Sequence, residues 1–317
     1  REQQDKTVQL SAEARNKIAL YKSAYRYAID ALKEDVGATE DNLPDLPFSA
    51  GRKEDFIAVQ AKFGESIKLI GHPFNLINKM TMIIADPELD ERASFYDFPE
   101  GQQELAKKVL EEFNAKKYRD NRSRLSKRTD KSCVLATKEV RDADTKEVIS
   151  VTYTVWTKAA IEGNRIALDS LDYATQQAFE EIAAKNGLEL SVTTPPKIAA
   201  LIENVKAEMA TPRGLISQDP LVKSPIVKQI VFCDILALHS KIKKLLSEQA
   251  GIPATKIAII TGSVNNTPDE ILSVQDGFNG QGDDNRYQLI IANEKAEVGI
   301  NLQKGTQAIH HLTIGWT

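Results

Sequence analysis

Apolar residues recur at helical spacing through the first hundred residues of the chain. Ser11 is a suitable N-cap for a helix whose apolar face would consist of Ile18, Tyr21, Tyr25, Ile29 and Leu32. The tyrosines in this stripe are expected to be core residues. More helix follows in AGRKEDFIAVQAKFGESIKLIGHPFNLINKMTMII, with an interruption at His72-Pro73, so the segment 1–100 is predicted to be mainly helical.

The periodicity changes in the segment 101–197. A basic helix is predicted from Gly101 to Tyr118, and after it the runs KSCVLATKEV and KEVISVTYTVW alternate and are rich in β-branched residues. With RDADT as the turn between them, these runs predict a β-hairpin. Helical patterns then return, one ending at Gly187 and one beginning at Pro195-Pro196.

From about Ser224 onward, apolar runs alternate with amphipathic segments. The runs QIVF, IAII, QLIIA and the final AIHHLTIGW read as buried strands, and the segments between the first three read as helices. Strands that alternate with helices predict a parallel sheet covered on both faces. The fold class is therefore expected to be α/β, with a parallel-sheet domain in 198–317.

Composition and cysteine spacing predict where in the cell the protein is located. The net charge is -4 and no apolar run reaches about 18 residues, so no membrane span is expected. Cys133 and Cys233 are far apart and lack metal-ligand spacing, which indicates a reducing, cytoplasmic location and a buried structural role for Cys233. The polar start without Met suggests that the chain is a segment of a longer protein.

The positive charge is concentrated in residues 107–131, which contain ten basic and four acidic residues. Such a segment is a candidate phosphate-contacting surface, although a solvated helix face followed by a loop explains it equally well. The basic residues that would contact DNA are Lys116, Lys117, Arg119, Arg122, Arg124, Lys127 and Arg128.

Two segments at the expected carboxyl ends of strands are candidates for ligand contact. ITGSVNN precedes a helix that begins at Thr267-Pro268, so its polar groups either bind a phosphate or cap the helix. ANEKAEVGINL contains a glycine that either lets a ligand approach or makes a turn. The sequence contains no P-loop, no paired acidic motif after a strand and no nucleophile–histidine constellation, so the chain alone is not expected to be an enzyme.

Three blocks together resemble superfamily-two helicases. KQIVFCDILALHSKIKKLL resembles the motif IV strand and helix, ITGSVNNTPDEILSVQDGFN the next strand and helix, and YQLIIANEKAEVGINLQKGTQAIHHLTIGW the motif V region. VQLSAEARNKIALYKSAYRYAI and LIGHPFN resemble elements of the Swi/Snf-type branch. The style of motif V is similar to that of the methyltransferase–helicase proteins of phages and mobile elements, including anti-restriction proteins.

This resemblance implies a RecA-like second motor lobe of an ATP-dependent DNA helicase or translocase. It implies double-stranded DNA and a first RecA-like lobe as partners. The first lobe would carry the P-loop and the magnesium motif, so ATP and Mg would belong to the parent protein, with none bound by this chain. Motif VI arginines, which stabilise charge on the transferred phosphoryl group, would follow Thr317.

The resemblance also implies roles for individual residues. Those expected to serve nucleotide and interlobe coupling are Gly299, Asn301 and Gln303, and those expected to contact the DNA backbone are Thr261, Gly262, Ser263, Asn293 and Glu294. Asn293 and Glu294 depart from the family pattern, where Thr or Ser is frequent. Two alternatives stay open: a non-catalytic docking or DNA-binding module of a large phage or plasmid protein, and an unrelated doubly wound protein that binds a small nucleotide.

Overall fold

The structure is a computed structural model of the 317-residue chain. For residues 114–120, 125–130, 133–141 and 148–155 and for Ala160 and Ala174 it describes only the backbone. The residues described are 7–34, 38–46, 51–63, 67–90, 93–120, 125–130, 133–141, 148–155, 159–168, 173–210, 227–261, 264–265, 267–280, 285–293, 300–302 and 305–313.

The chain forms two compact units. The first unit combines residues 1–91 with residues 194–317, and the second unit is the continuous segment 92–193. The second unit is therefore an insertion between the helical part and the parallel-sheet part of the first. The division of the sequence at 100 and 197 stays a prediction.

The helical part of the first unit is built around two buried tyrosines. Ser11 caps the first helix, because its Oγ accepts a hydrogen bond from the Ala14 amide at 3.1 Å, and Tyr21 and Tyr27 of that helix are fully buried. The Ser11 cap is confirmed, and so is the core position of Tyr21. Tyr25 of the predicted stripe is only partly buried against this core, whereas Tyr27 lies outside the predicted stripe. The elements are α1 (Ala12–Glu34), α2 (Arg52–Phe63), α3 (Phe74–Ala85) and a 3-10 turn (Pro87–Asp90).

Lysines from four helices hold the segment Asp86–Asp90, which we call the acidic turn. Lys17 of α1 donates to the Pro87 carbonyl at 3.0 Å, and Lys79 of α3 donates to the Leu89 carbonyl. Lys62 of α2 binds the carboxylate of Asp90, and Lys241, from the helix His239–Gln249, binds those of Asp86 and Glu88. This turn ends where the chain enters the second unit.

Asp90 is the buried carboxylate of the acidic turn. Its Oδ1 accepts from the Tyr21 hydroxyl at 2.5 Å, and its Oδ2 accepts from Lys62 of α2 at 2.5 Å. Burial alone would raise the pKa of Asp90, but the hydrogen bonds from Lys62 and Tyr21 outweigh that effect and lower it. The carboxylate therefore stays charged and joins α1 to α2.

The remainder of the first unit is a parallel four-stranded sheet with helices on both faces, so the α/β prediction is confirmed. The elements are α6 (Pro196–Ala210), β7 (Lys228–Phe232), α7 (His239–Gln249), β8 (Ile257–Ile260), α8 (Pro268–Asn279), β9 (Leu289–Ala292) and β10 (Thr306–His311). All three strand pairs are parallel, in the order β10-β7-β9-β8. Ile230 and Ile290 face α8, whereas the neighbouring Gln229 donates to the Val205 carbonyl of α6 at 3.2 Å on the other face.

One strand differs from expectation in its burial. The predicted last strand forms, but β10 lies at the edge of the sheet, and Ile309 is 54% exposed. His311 stacks on Phe232 with ring centroids 5.3 Å apart, and His310 bonds to Gln229 Oε1 at 2.7 Å. The prediction of a fully buried strand was wrong, because apolar spacing does not distinguish a central strand from an edge strand.

The second unit contains two three-stranded antiparallel sheets, in the orders β1-β6-β5 and β2-β3-β4. The hairpin predicted for β3 and β4 is confirmed. A third strand, β2, was not predicted, because LSKRTD is polar and lacks alternation. The elements are β1 (Ser94–Asp97), α4 (Gln103–Asp120), β2 (Leu125–Asp130), β3 (Cys133–Arg141), β4 (Val148–Val155), β5 (Ala159–Glu162), β6 (Arg165–Leu168) and α5 (Tyr173–Asn186).

Gly187 ends α5 in the way that the sequence predicts. Its φ is 76°, a conformation that glycine adopts without strain. The Leu188 amide donates to the Ala183 carbonyl at 2.9 Å, and the Gly187 amide donates to the Ala184 carbonyl at 3.0 Å. These two bonds satisfy carbonyls of the last helical turn.

Candidate functional site

The carboxyl ends of the four parallel strands meet at one edge of the sheet, which we call the carboxyl edge. Ala292 at the end of β9 pairs with Ile260 of β8 on one side and with Phe232 of β7 on the other. The next residues are Thr261, Asn293 and Cys233-Asp234, and they are therefore adjacent. Loops at this edge are where open α/β sheets bind their ligands.

Asp234, which follows β7, and Thr313, which follows β10, are hydrogen-bonded to each other at the carboxyl edge. The Asp234 amide donates to Thr313 Oγ1 at 2.7 Å, and the Thr313 hydroxyl donates to Asp234 Oδ2 at 3.3 Å. The carboxylate is thereby fixed next to the end of β10. Sequence reasoning did not assign this pair, since the two residues are far apart in the chain.

Cys233 and His239 lie beneath this edge. Burial raises the pKa of Cys233 to about 12, so the side chain is a thiol and not a nucleophilic thiolate, and its predicted burial is confirmed. His239 Nε2 bonds to the Cys233 carbonyl at 2.7 Å, which makes Nε2 the donor. Burial lowers the pKa of His239, so its ring is neutral. Its Nδ1 is buried without a hydrogen-bond partner in the described part of the chain.

Thr261 and Asn265 form hydrogen bonds within the loop after β8 and with β8 itself. The Thr261 amide donates to the Val264 carbonyl at 2.9 Å, and Thr261 Oγ1 accepts from the Val264 amide at 3.1 Å. Asn265, at φ 49°, donates to the Ile259 carbonyl at 2.8 Å. The Thr261 hydroxyl is thus already used in a turn, and its contact with DNA stays a prediction.

Thr267 caps α8 through a reciprocal capping box. Its Oγ1 accepts from the Glu270 amide at 3.4 Å, and Glu270 Oε2 accepts from the Thr267 amide at 3.1 Å. Of the two sequence interpretations of this loop, helix capping is confirmed. Phosphate binding by the same loop stays a prediction.

Asn293 follows β9 and points an amide oxygen into the interior. Its Oδ1 is buried and has no hydrogen-bond partner among the residues that the structure describes. An unpaired buried acceptor is costly, so this oxygen would gain from a donor that enters the carboxyl edge. The amide is chemically suited to a hydrogen-bonding role.

Asn301 is held away from the carboxyl edge. Its amide donates to Gln275 Oε1 at 2.9 Å, and its carbonyl accepts from Asn279 Nδ2 at 2.5 Å, so its backbone is fixed to the second half of α8. The flanking Ile300 and Leu302 pack into the core under that helix, whereas Asn301 itself is exposed. The structure therefore separates Asn301 from Thr261 and Asn293.

The remaining predicted site residues fall in two groups. Lys116, Lys117 and Arg119 lie in the last turns of α4, and Lys127 and Arg128 lie on β2. The others lie outside the described residues: Arg122, Arg124, Gly262, Ser263, Glu294, Gly299 and Gln303.

Lys228 is a buried cation that sequence reasoning missed. It begins β7 with 1% of its surface exposed, and its Nζ donates to the carbonyls of Phe278 and Gly280, the latter at 3.1 Å, at the end of α8. Burial lowers the pKa of Lys228 from 10.5 to about 8. The only sequence signal was a lysine at the start of an apolar run.

Two negative observations apply to the described ranges only. They contain no group of three or more His, Cys, Asp or Glu side chains arranged to hold a metal ion. Among the helices described, none is long and apolar enough to cross a membrane.

No family model matches the chain, and its similarities to known proteins are distant. Over 190 residues, 45% of this chain, it is 28% identical to the defense against restriction protein B of Escherichia phage P1, and it spans 8% of that protein's length. A structural comparison aligns 97% of this chain with 49% of the chain in the crystal structure of the Hef helicase domain of Pyrococcus furiosus, at 15% identity and a TM-score of 0.30. That score is too low to identify a shared fold.

Proposed function

We propose that this chain forms the second motor lobe of an ATP-dependent DNA helicase or translocase. The observation that carries the proposal is the parallel sheet β10-β7-β9-β8, because the three helicase-like blocks supply all four of its strands and the carboxyl ends of these strands meet at one edge. The sequence similarity to a phage anti-restriction protein agrees with the narrower resemblance and adds support. Because the chain spans 8% of that relative, the activity belongs to a longer protein.

Thr261 and Asn293 would face the DNA backbone at the carboxyl edge. Their strands are hydrogen-bonded neighbours, so the two polar residues lie side by side. Contacts to phosphate and sugar position a strand without reading its sequence, which is what a protein that moves along DNA requires. Double-stranded DNA is the proposed substrate.

Asn301 would couple nucleotide state to this lobe. Its backbone is fixed by Gln275 and Asn279 of α8, and the same helix begins directly after the loop that follows Thr261. Because α8 connects the Asn301 backbone with the loop after Thr261, a displacement of one segment can be transmitted to the other through this helix. The chain has no P-loop, so the proposed first lobe would bind ATP and Mg.

The test uses a longer protein that contains a P-loop lobe ahead of this chain. We expect ATP hydrolysis that duplex DNA stimulates. We expect the double variant Gln275→Ala and Asn279→Ala to reduce the stimulated rate roughly tenfold or more, because it removes both bonds that fix the Asn301 backbone to α8. Asn78→Ala, an exposed asparagine of α3, is the matched control and should leave the rate unchanged. If the folded longer protein shows no hydrolysis, the lobe is a docking or binding module.

A further inference from the structure

The carboxyl end of α8 is bonded by a residue that lies far away in the sequence. Lys228 of β7 donates to the carbonyls of Phe278 and Gly280, and the second of these bonds is 3.1 Å long. Gly280 has φ -64° and ψ 165°, which is extended backbone and not the left-handed conformation that ends many helices. Lys228 therefore satisfies carbonyls that a local turn satisfies in other helices.

The ammonium of Lys228 is also held beside an aromatic ring. Its Nζ lies 5.4 Å from the centroid of the Phe278 ring, and the residue is buried. Burying an ammonium costs free energy that an apolar side chain in the same place would not. An apolar side chain could not donate to two carbonyls, so these bonds are what the lysine adds.

Asn279 lies between the two carbonyls that Lys228 bonds, and it holds Asn301. Its Nδ2 donates to the Asn301 carbonyl at 2.5 Å, and the Asn301 amide donates to Gln275 Oε1 at 2.9 Å, one turn earlier on α8. We call residues 300–302 the coupling segment. A displacement of the last turn of α8 would displace the side-chain amide that fixes this segment.

Lys228 also contacts the chain on the other side of the coupling segment. Thr306, the first residue of β10, pairs with Lys228, and its Oγ1 donates to the Leu302 carbonyl. Gly305 has φ 84°, and a Cβ added to it would lie 3.4 Å from Lys228 Cδ, so the backbone before β10 lies against the lysine stem. One side chain therefore contacts both attachments of the coupling segment.

We propose that Lys228 is a positioning residue for the coupling segment. It fixes the end of α8 and, through Asn279, the backbone of Asn301. The inference rests on the proposed motor function, in which Asn301 couples nucleotide state to this lobe. Lys228 begins β7, at the end of the strand opposite the carboxyl edge, so it acts through Asn301 and not by contact with DNA.

A purely structural role competes with this proposal. A lysine at the end of a helix stabilises the partial negative charge of the last carbonyls, whatever that helix contacts. In that case Lys228→Met lowers the free energy of unfolding without a particular effect on Asn301. The test therefore measures the coupling segment and the whole fold separately.

The first experiment measures hydrogen exchange of single amides in the full chain by NMR. The Asn301 amide reports on the coupling segment. The Cys233 amide, which donates to the Ala292 carbonyl at 2.8 Å within the sheet, reports on the fold. We expect Lys228→Met to speed exchange at Asn301 roughly tenfold or more, and exchange at Cys233 by a smaller factor, because the loss is local.

Lys256→Met is the matched control. It also removes a bond from a lysine to a backbone carbonyl, that of Asn285 at 3.0 Å, and it should leave exchange at Asn301 unchanged. An unchanged rate at Asn301 in Lys228→Met, or the same acceleration in both lysine variants, would overturn the proposal. If Lys228→Met does not fold, Lys228→Gln, which keeps one donor group, replaces it with the same expected and overturning results.

Asn279→Ala tests the route by which Lys228 acts. If Lys228 holds Asn301 through Asn279, the double variant Lys228→Met and Asn279→Ala exchanges at Asn301 no faster than Asn279→Ala alone. Independent, multiplying accelerations would contradict that route.

The second experiment uses the longer protein of the hydrolysis test. We expect Lys228→Met to lower the DNA-stimulated kcat about as much as the double variant Gln275→Ala and Asn279→Ala, with the KM for ATP within about twofold of the unchanged protein. Faster exchange at Asn301 without a loss of kcat would reject the role in coupling. If the unchanged longer protein hydrolyses no ATP, the motor function and the coupling role both fail, and the exchange rates decide separately whether Lys228 positions the segment.

Discussion

Two lysines in the first unit, the buried Lys228 and the partly buried Lys241, have different partners for their ammonium groups. Lys241 on α7 binds two carboxylates, Asp86 Oδ2 at 2.6 Å and Glu88 Oε2 at 2.8 Å. Lys228 on β7 binds the carbonyls of Phe278 and Gly280. One cation therefore has full opposite charges beside it, whereas the other has the partial negative charge of a helix end.

The difference explains what each lysine holds together. Lys241 joins the sheet part to the acidic turn, and the turn in turn is held by α1, α2 and α3. Burial raises the pKa of Asp86, and Lys241 offsets only part of that rise. Lys228 holds the carboxyl end of α8 against the start of β7. The first contact spans segments far apart in sequence, and the second is within the sheet part.

The largest effect is expected from removing Lys241. Lys241→Met should lower the free energy of unfolding of the first unit by about 3 to 5 kcal/mol, because the buried carboxylate of Asp86 and the partly buried carboxylate of Glu88 lose their counterion. Urea denaturation followed by circular dichroism measures it. The two units can unfold in separate transitions, so the transition that moves is assigned to the first unit.

Lys244→Met is the matched control on the same helix. Lys244 pairs with Glu248 at 3.0 Å across one helical turn, and Glu248 is 45% exposed. Exposed pairs of this kind contribute about 0.3 to 0.5 kcal/mol. Equal losses for the two variants would mean that the Asp86 and Glu88 contacts contribute no more than a surface pair.

Lys228→Met is expected to change the free energy of unfolding by less than Lys241→Met does, and this change should depend on pH. The folded chain lowers the pKa of Lys228 to about 8, against 10.5 for the free side chain, so between these values the unfolded chain binds more protons. The stability of the unchanged protein should therefore rise relative to Lys228→Met as pH increases from 8 to 10.5. Below pH 8 the full cost of burying the charge is present, and the difference between the two proteins should be constant.

Urea titrations at pH 7, 8, 9 and 10 measure this difference. Taking the difference between the two proteins cancels the other titrating groups. A difference that stays flat from pH 8 to 10 would show that the ammonium of Lys228 is not desolvated in the folded chain. The same titrations on Lys241→Met provide the contrast with a lysine beside carboxylates.

Local patterns predicted the elements of both regions but not the contacts of either lysine. The spacing of apolar residues located β7, α7 and α8, and Thr267-Pro268 marked where α8 begins. Lys228 and Phe278 are 50 positions apart, and Lys241 and Asp86 are 155 apart. Such contacts depend on strand order and on which helix faces which strand, and periodicity does not contain that information. For the same reason, the sequence indicated Asn301 as a site residue without showing that it lies apart from Thr261.

The smallest effect tests the opposite end of the helix that Lys228 holds. Thr267→Ala should cost about 1 kcal/mol, because the capping box loses the hydroxyl that accepts from the Glu270 amide. Thr267→Ser keeps the hydroxyl and should restore most of that loss, which separates capping from packing of the methyl group. Urea denaturation at pH 7 measures both. If Thr267→Ala lowers the free energy of unfolding as much as Lys228→Met or more, the local cap contributes more to the stability of α8 than Lys228 does. The hydrogen bonds of Lys228 would then do little more than offset the cost of burying its charge.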